Sequence, residues 1–242
     1  MKISNPASRF KLNIKPGEKV LEVGGGHNPH PRSNVIVDKY GDDNTHRSGD
    51  IKTLKNQKFM VADGEKMPFK DNEFDYIISN QVLEHVENPT AFLNEFARVA
   101  KRGFIETPSL IGEYLFPKES HKWVILEIEN KLVLYEKKDV FPKLTFDFGQ
   151  LFLTYLQKNS ISFKIFERTS QNAFTVRYEW KDNIEHLINP PEEKYKKYFS
   201  REWDAEMIKT FFPEKSKGKE FKDFMLTFNE IFWGLFKNKM NK

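Results

Sequence analysis

Residues 20–41 read Val20-Leu21-Glu22-Val23-Gly24-Gly25-Gly26-His27-Asn28-Pro29-His30-Pro31-Arg32-Ser33-Asn34-Val35-Ile36-Val37-Asp38-Lys39-Tyr40-Gly41. A short apolar run ends in an acid and a glycine cluster, and a second apolar run ends in another acid, Asp38. That order predicts two strands of an open α/β sheet. A nucleotide-like ligand would lie over the glycine turn, with a carboxylate placed for its ribose hydroxyls. A cofactor-binding enzyme is the leading expectation.

Outward from this stretch, strands are expected at residues 19–23, 34–37, 59–62, 74–79 and 104–106, each a short apolar run closed by turn residues. Asn88 and Pro89 suit the N-cap and first turn of a helix, whose inner face would carry Phe92, Leu93, Phe96 and Val99 before Gly103 stops it. Strands alternating with helices or loops argue for a mostly parallel sheet. Beyond Pro108 the pattern changes. Residues 123–128 and 132–135 flank Glu129-Asn130-Lys131 as a β-hairpin, 149–158 suit a helix, and 162–166 and 174–180 suit further strands. From Pro190 the text is helical and charged. Its last element places Phe221, Phe224, Met225, Phe228, Ile231, Phe232 and Leu235 on one stripe, best suited to core packing or a homodimer interface rather than a membrane surface. The fold class expected is α/β: a mostly parallel sheet flanked by helices, with an elaborated α+β C-terminal half. The divisions are a cofactor-binding core at 1–110, a hairpin and strand extension with a substrate lid at 111–189, and helices packed on the core at 190–242.

With 39 Lys and Arg against 35 Asp and Glu, the net charge of +4 over 242 residues does not signal the concentrated basic face of a nucleic-acid binder. Cysteine is absent, which excludes disulfides and thiolate metal sites. Residues 1–15 hold no signal-peptide core, and no apolar run approaches the ~18 residues of a membrane span. A soluble, cytoplasmic protein is expected. His27 and His30 are close but flanked by prolines, and no His, Asp or Glu cluster has ligand spacing, so no metal is expected.

The glycine turn alone is weak evidence, but further features follow in register. Asp38 closes the second strand, with Lys39 beside it. Asp63-Gly64 closes the third, where an acid can accept from an adenine amino group. Asn80-Gln81-Val82 closes the fourth. All lie at carboxyl ends of strands, the edge at which open α/β sheets bind ligands.

These segments resemble class I S-adenosylmethionine-dependent methyltransferases of the group called type 11. The matching text is Val-Leu-Glu-Val-Gly-Gly-Gly at 20–26, Val-Ile-Val-Asp at 35–38 and Ala-Asp-Gly-Glu-Lys-Met-Pro-Phe at 62–69. It continues as Asp-Asn-Glu-Phe-Asp-Tyr-Ile-Ile-Ser-Asn-Gln-Val-Leu-Glu-His-Val at 71–86. The resemblance implies a Rossmann-like core with S-adenosylmethionine as cofactor. Glu22 and Gly24, Gly25 and Gly26 would hold its methionine part, Asp38 the ribose and Asp63 the adenine edge, while Asn80, Gln81 and Val82 would line it beside the substrate mouth. Two departures stand out. Asn28-Pro29 replaces the usual third glycine, and the 15 residues between Glu22 and Asp38 leave little room for a crossover helix, so the connection should be short and irregular. The cofactor would be more exposed there, or covered by the N-terminal segment.

A methyl transfer needs mainly alignment, so a strong base is optional. His85 is the candidate general base, against packing in a short helix. Tyr114, His121 and Trp123 are substrate candidates on the loop leaving the fifth strand, against an ordinary surface loop. The expected acceptor is a small molecule or a glycan, methylated on oxygen. The glycine turn and His121-Lys122-Trp123 resemble bacterial methyltransferases associated with surface-polysaccharide synthesis. The alternatives are a non-catalytic scaffold that binds a protein partner, and an RNA methyltransferase. A nicotinamide dehydrogenase fits poorly, because Gly24-Gly25-Gly26 lacks the Gly-x-Gly-x-x-Gly spacing.

Overall fold

The computed structural model describes residues 1–41, 49–142, 148–170 and 172–240, with side chains to residue 234. The expected strands form where the apolar runs lie: β2 (Val20–Val23), β3 (Val35–Asp38), β4 (Lys58–Val61), β5 (Tyr76–Asn80) and β6 (Arg102–Pro108). They pair in parallel in the order β6-β5-β2-β3-β4. Their side chains alternate across the sheet, so Leu21, Val23, Ile77 and Ile105 face one core while Val20, Tyr76, Ile78 and Phe104 face another. Two strands complete the sheet. β9 (Thr175–Lys181) runs antiparallel beside β6, and β1 (Lys2–Ser4) pairs antiparallel with β9 at the edge.

The first core is closed by helix α1 (Pro89–Val99). Its start is set as the sequence predicts. The Asn88 side chain accepts from Ala91 N at 3.0 Å, a cap worth about 1 kcal/mol, and Phe92, Leu93, Phe96 and Val99 are buried. A second sheet lies on the same side. Strands β7 (Trp123–Ile128) and β8 (Lys131–Glu136) form the expected hairpin, and β10 (His186–Ile188) adds in parallel to β8. Trp123, Ile125, Leu132 and Leu134 point to the first core. Val124, Leu126, Val133 and Tyr135 point outward, onto α6 (Glu193–Ser200) and α7 (Ala205–Phe211) through Tyr195, Tyr198, Phe199 and Met207.

Residues 175–181 extend the main sheet: β9 pairs with β6 along its full length and sends Val176, Tyr178 and Trp180 into the first core. Two expectations are corrected. Residues 162–166 are not a strand but part of helix α5 (Ile161–Thr169). Apolar residues at 161, 163 and 165 mimic a strand period, but Ser160 caps the helix by accepting from Phe163 N. The helix then sets Phe163 and Phe166 together against Phe174. The terminal stripe does not pack on the core. On α8 (Lys217–Met240) only Ile231 is buried among the described stripe residues; Phe221, Phe224 and Phe232 are exposed, and the side chain of Leu235 lies outside the described residues. No helix among the described residues is long and apolar enough to cross a membrane.

Candidate active site

The carboxyl ends of β2, β3, β4 and β5 open into a cavity of about 350 Å³. Gly24, Asp38, Lys39, Asp63, Gly64, Gln81, Val82 and His85, all singled out from sequence, line it. Gly24 needs its glycine. Its φ is +74°, and a Cβ there would lie 2.2 Å from Val82 Cγ2. Its N–H donates to Val37 O at 2.8 Å, which bends the chain off β2 and turns its backbone to the cavity. Asp38, the last residue of β3, is nearly buried and accepts from Tyr40 N at 3.0 Å. Asp63 pairs with Lys39 at 2.8 Å. Partial burial pushes the Asp63 carboxyl up, but the Lys39 ammonium and the Glu65 N–H outweigh it and hold it below its ordinary value. Gln81 sits at φ +58°, a strained geometry for a side-chain-bearing residue, fixed by its N–H donating to Glu106 O.

Glu22, Gly25, Gly26 and Asn80 do not line the cavity. Glu22 turns to the opposite face of the sheet, where it accepts from His30 N at 2.7 Å and Ser33 Oγ at 2.8 Å and pairs with Arg9 at 3.2 Å. Burial raises the Glu22 carboxyl above its ordinary value despite these partners. Arg9 also donates to Asn28 O, and Phe10 stacks on His30. The N-terminal segment thus covers the short, irregular connection after β2. Burial, with Arg9 and Arg32 nearby, pushes His30 down to about 4. The folded protein therefore keeps His30 neutral, while the unfolded chain protonates it below pH ~6.5. Stability should fall by about 2 kcal/mol from this group between pH 7.5 and pH 5, and a His30→Gln variant should lack that loss. Urea unfolding at the two pH values reads it; equal acid sensitivity in both proteins would contradict it.

The substrate candidates separate. Tyr114 sits away from the cavity on α2 (Leu110–Leu115), half exposed against Phe141. Trp123 is buried, its Nε1 donating to Val86 O at 2.8 Å, so it anchors the loop rather than meeting a ligand. His121 is buried behind the wall, while its neighbours Glu119, Ser120 and Lys122 line the cavity. Spacing along the chain offers no ligand set, yet the fold gathers three groups that could hold an ion. Among the described residues, Glu84, His85 and His121 bring one ligand atom each within 4.8 Å of one another. Local spacing could not reveal this, because the loop before β7 returns His121 to the turn Leu83–His85, with Lys122 N donating to Glu84 O. Glu84 is 1% exposed, and burial, only partly offset by its own turn and by Thr107, pushes its carboxyl up to about 8. An acid between Leu83 and His85 in an apolar turn was the one signal for it.

A methyltransferase-domain family model matches residues 39–105, from just after β3 into β6. An uncharacterized protein of Methanocaldococcus jannaschii is 32% identical over 143 residues, covering 57% of this chain and 68% of that protein. The chain belongs to the class I S-adenosylmethionine-dependent methyltransferases. Among this family, demethylmenaquinone methyltransferase of Corynebacterium efficiens is 34% identical over 101 residues, 40% of this chain and 43% of that enzyme. The chain thus spans about two thirds of the archaeal relative and under half of the bacterial methyltransferase. The solved structure of a Pyrococcus horikoshii protein aligns over 70% of this chain and 84% of that one, at 16% identity and a TM-score of 0.39. The family's cofactor suits the cavity: Gly24 keeps open a cradle that a Cβ would fill, and Asp38 stands at the β3 end among the apolar walls of Val23, Ala62, Val82 and Phe92.

Proposed function

We propose that the protein transfers a methyl group from S-adenosylmethionine to an oxygen of a small hydroxylated acceptor. The convergence of Gly24, Asp38, Asp63 and Gln81 from four neighbouring strand ends on one cavity supports this most directly. Asp38 would accept from the ribose hydroxyls, and Phe92, Val82 and Ala62 would hold the adenine with its edge toward Asp63. The methionine end would lie over the Gly24 turn. Glu22 is then a support for the turn through Ser33 and His30, acting behind Gly25.

When bound, the cofactor would supply a methyl carbon to which an acceptor oxygen bonds with its own lone pair, while the electron pair of the broken C–S bond stays on sulfur. The chain's task is alignment and exclusion of water. His85 lines the cavity, and its ring is fixed by Nδ1 donating to Ser120 O at 3.1 Å, so Nε2 is its basic nitrogen. In this reading it would meet the acceptor hydroxyl and weaken its O–H bond. Glu65, Glu87 and Glu119 share the cavity lining with Lys39 and Lys122. That mixed rim suits a small polar acceptor better than RNA, whose binding needs a continuous basic track. With methyl-labelled cofactor and a fractionated cell extract, the label should enter the low-mass fraction as an ether. Label in RNA or protein, or in no fraction, would overturn this reading of the acceptor.

A further inference from the structure

We infer that Glu84, His85 and His121 form a site for one divalent cation of the zinc or manganese class in the wall of the cavity. Glu84 Oε1 lies 4.0 Å from Nε2 of His85 and 4.0 Å from Nε2 of His121. These gaps are too long for hydrogen bonds. Three donors so spaced share a centre about 2.4 Å from each, so an inward shift of a few tenths of an ångström gives the ~2.0–2.2 Å bonds of such a cation. Two imidazoles and one carboxylate are a ligand set that zinc and related ions take in open, reactive sites.

The surroundings are built to aim these atoms. Glu84 Oε2 accepts from Thr107 Oγ1 at 3.0 Å, while Oε1 is buried and has no hydrogen-bond partner. His121 Nδ1 sits 2.5 Å from Glu113 Oε2, and Lys137 holds the other Glu113 oxygen. A carboxylate behind the ring fixes the tautomer with Nε2 turned to the ion, the arrangement that metal-binding histidines favour. His85 is oriented the same way by Ser120 O, and the two rings meet edge to face with centroids 4.7 Å apart. Because His85 and Ser120 line the cavity, the remaining coordination positions open toward the acceptor. Resting on the methyltransferase reading, the ion would bind the acceptor hydroxyl and lower its pKa, and the proton would leave to water. The resulting alkoxide then forms the C–O bond as the C–S bond breaks. His85 would act through the ion.

The test uses the full chain stripped with a chelator and then titrated with Zn²⁺, Mn²⁺ or Co²⁺ alone. One equivalent should bind, cobalt should give visible d–d bands, and Glu84→Gln and His85→Gln should each weaken binding about tenfold or more. The exposed His27→Gln should change nothing. Circular dichroism confirms the fold; should Glu84→Gln not fold, the cavity-lining His85→Gln carries the test. No cobalt bands, or affinity unchanged in the folded variants, would overturn the site. S-adenosylmethionine binding to the stripped protein is read separately. Metal without cofactor binding would overturn the methyltransferase reading alone, and cofactor without metal binding would overturn this inference alone.

Discussion

Gly24→Val should cut S-adenosylmethionine affinity by about a hundredfold or more, equivalent to about 2.7 kcal/mol. Two costs combine. The backbone at φ +74° is poor for any β-branched residue, and the new Cβ would lie 2.2 Å from Val82 Cγ2. Either the turn shifts or Val82 does, and both line the cofactor cavity. A double variant separates binding from folding. Gly24→Ala with Val82→Ala removes the clash while keeping the backbone strain, so it should recover part of the affinity lost in Gly24→Ala. Calorimetric titration of variants shown to be folded gives the answer; wild-type affinity in Gly24→Val would contradict this role for the turn.

The second large effect is on stability. Glu113→Ala should cost about 3 kcal/mol, because it leaves His121 and Lys137 without the carboxylate they share in a buried position. For a chain of this size that is a fall in melting temperature of about 6–12 °C. Glu113→Gln keeps an acceptor and the side-chain volume, and should lose less. Denaturant unfolding of the three proteins reads the order; an Ala variant as stable as the wild type would show that the cluster contributes nothing to the fold.

The central strands and α1 were legible in the sequence because each signal is local: an apolar run closed by glycine or acid, and an asparagine before a proline. The residues at the strand ends followed, since the sheet edge alone brings Gly24, Asp38, Asp63 and Gln81 together. What escaped depends on contacts distant in sequence. β1 is three residues without a periodic pattern, and only its pairing with β9 makes it a strand. The Arg9–Glu22 pair could not be foreseen either, so Glu22 was assigned to the ligand rather than to the face beneath it. α5 was missed because a two-residue apolar period overrode a serine cap. Glu84, His85 and His121 meet only after β7 returns against the turn that follows β5.

The most direct measurement is a calorimetric titration of the wild-type protein with S-adenosylmethionine and S-adenosylhomocysteine. Saturable binding of one equivalent of each in the micromolar range is predicted. No heat of binding at millimolar ligand would contradict the assignment of the cavity at the ends of β2–β5 as the cofactor site.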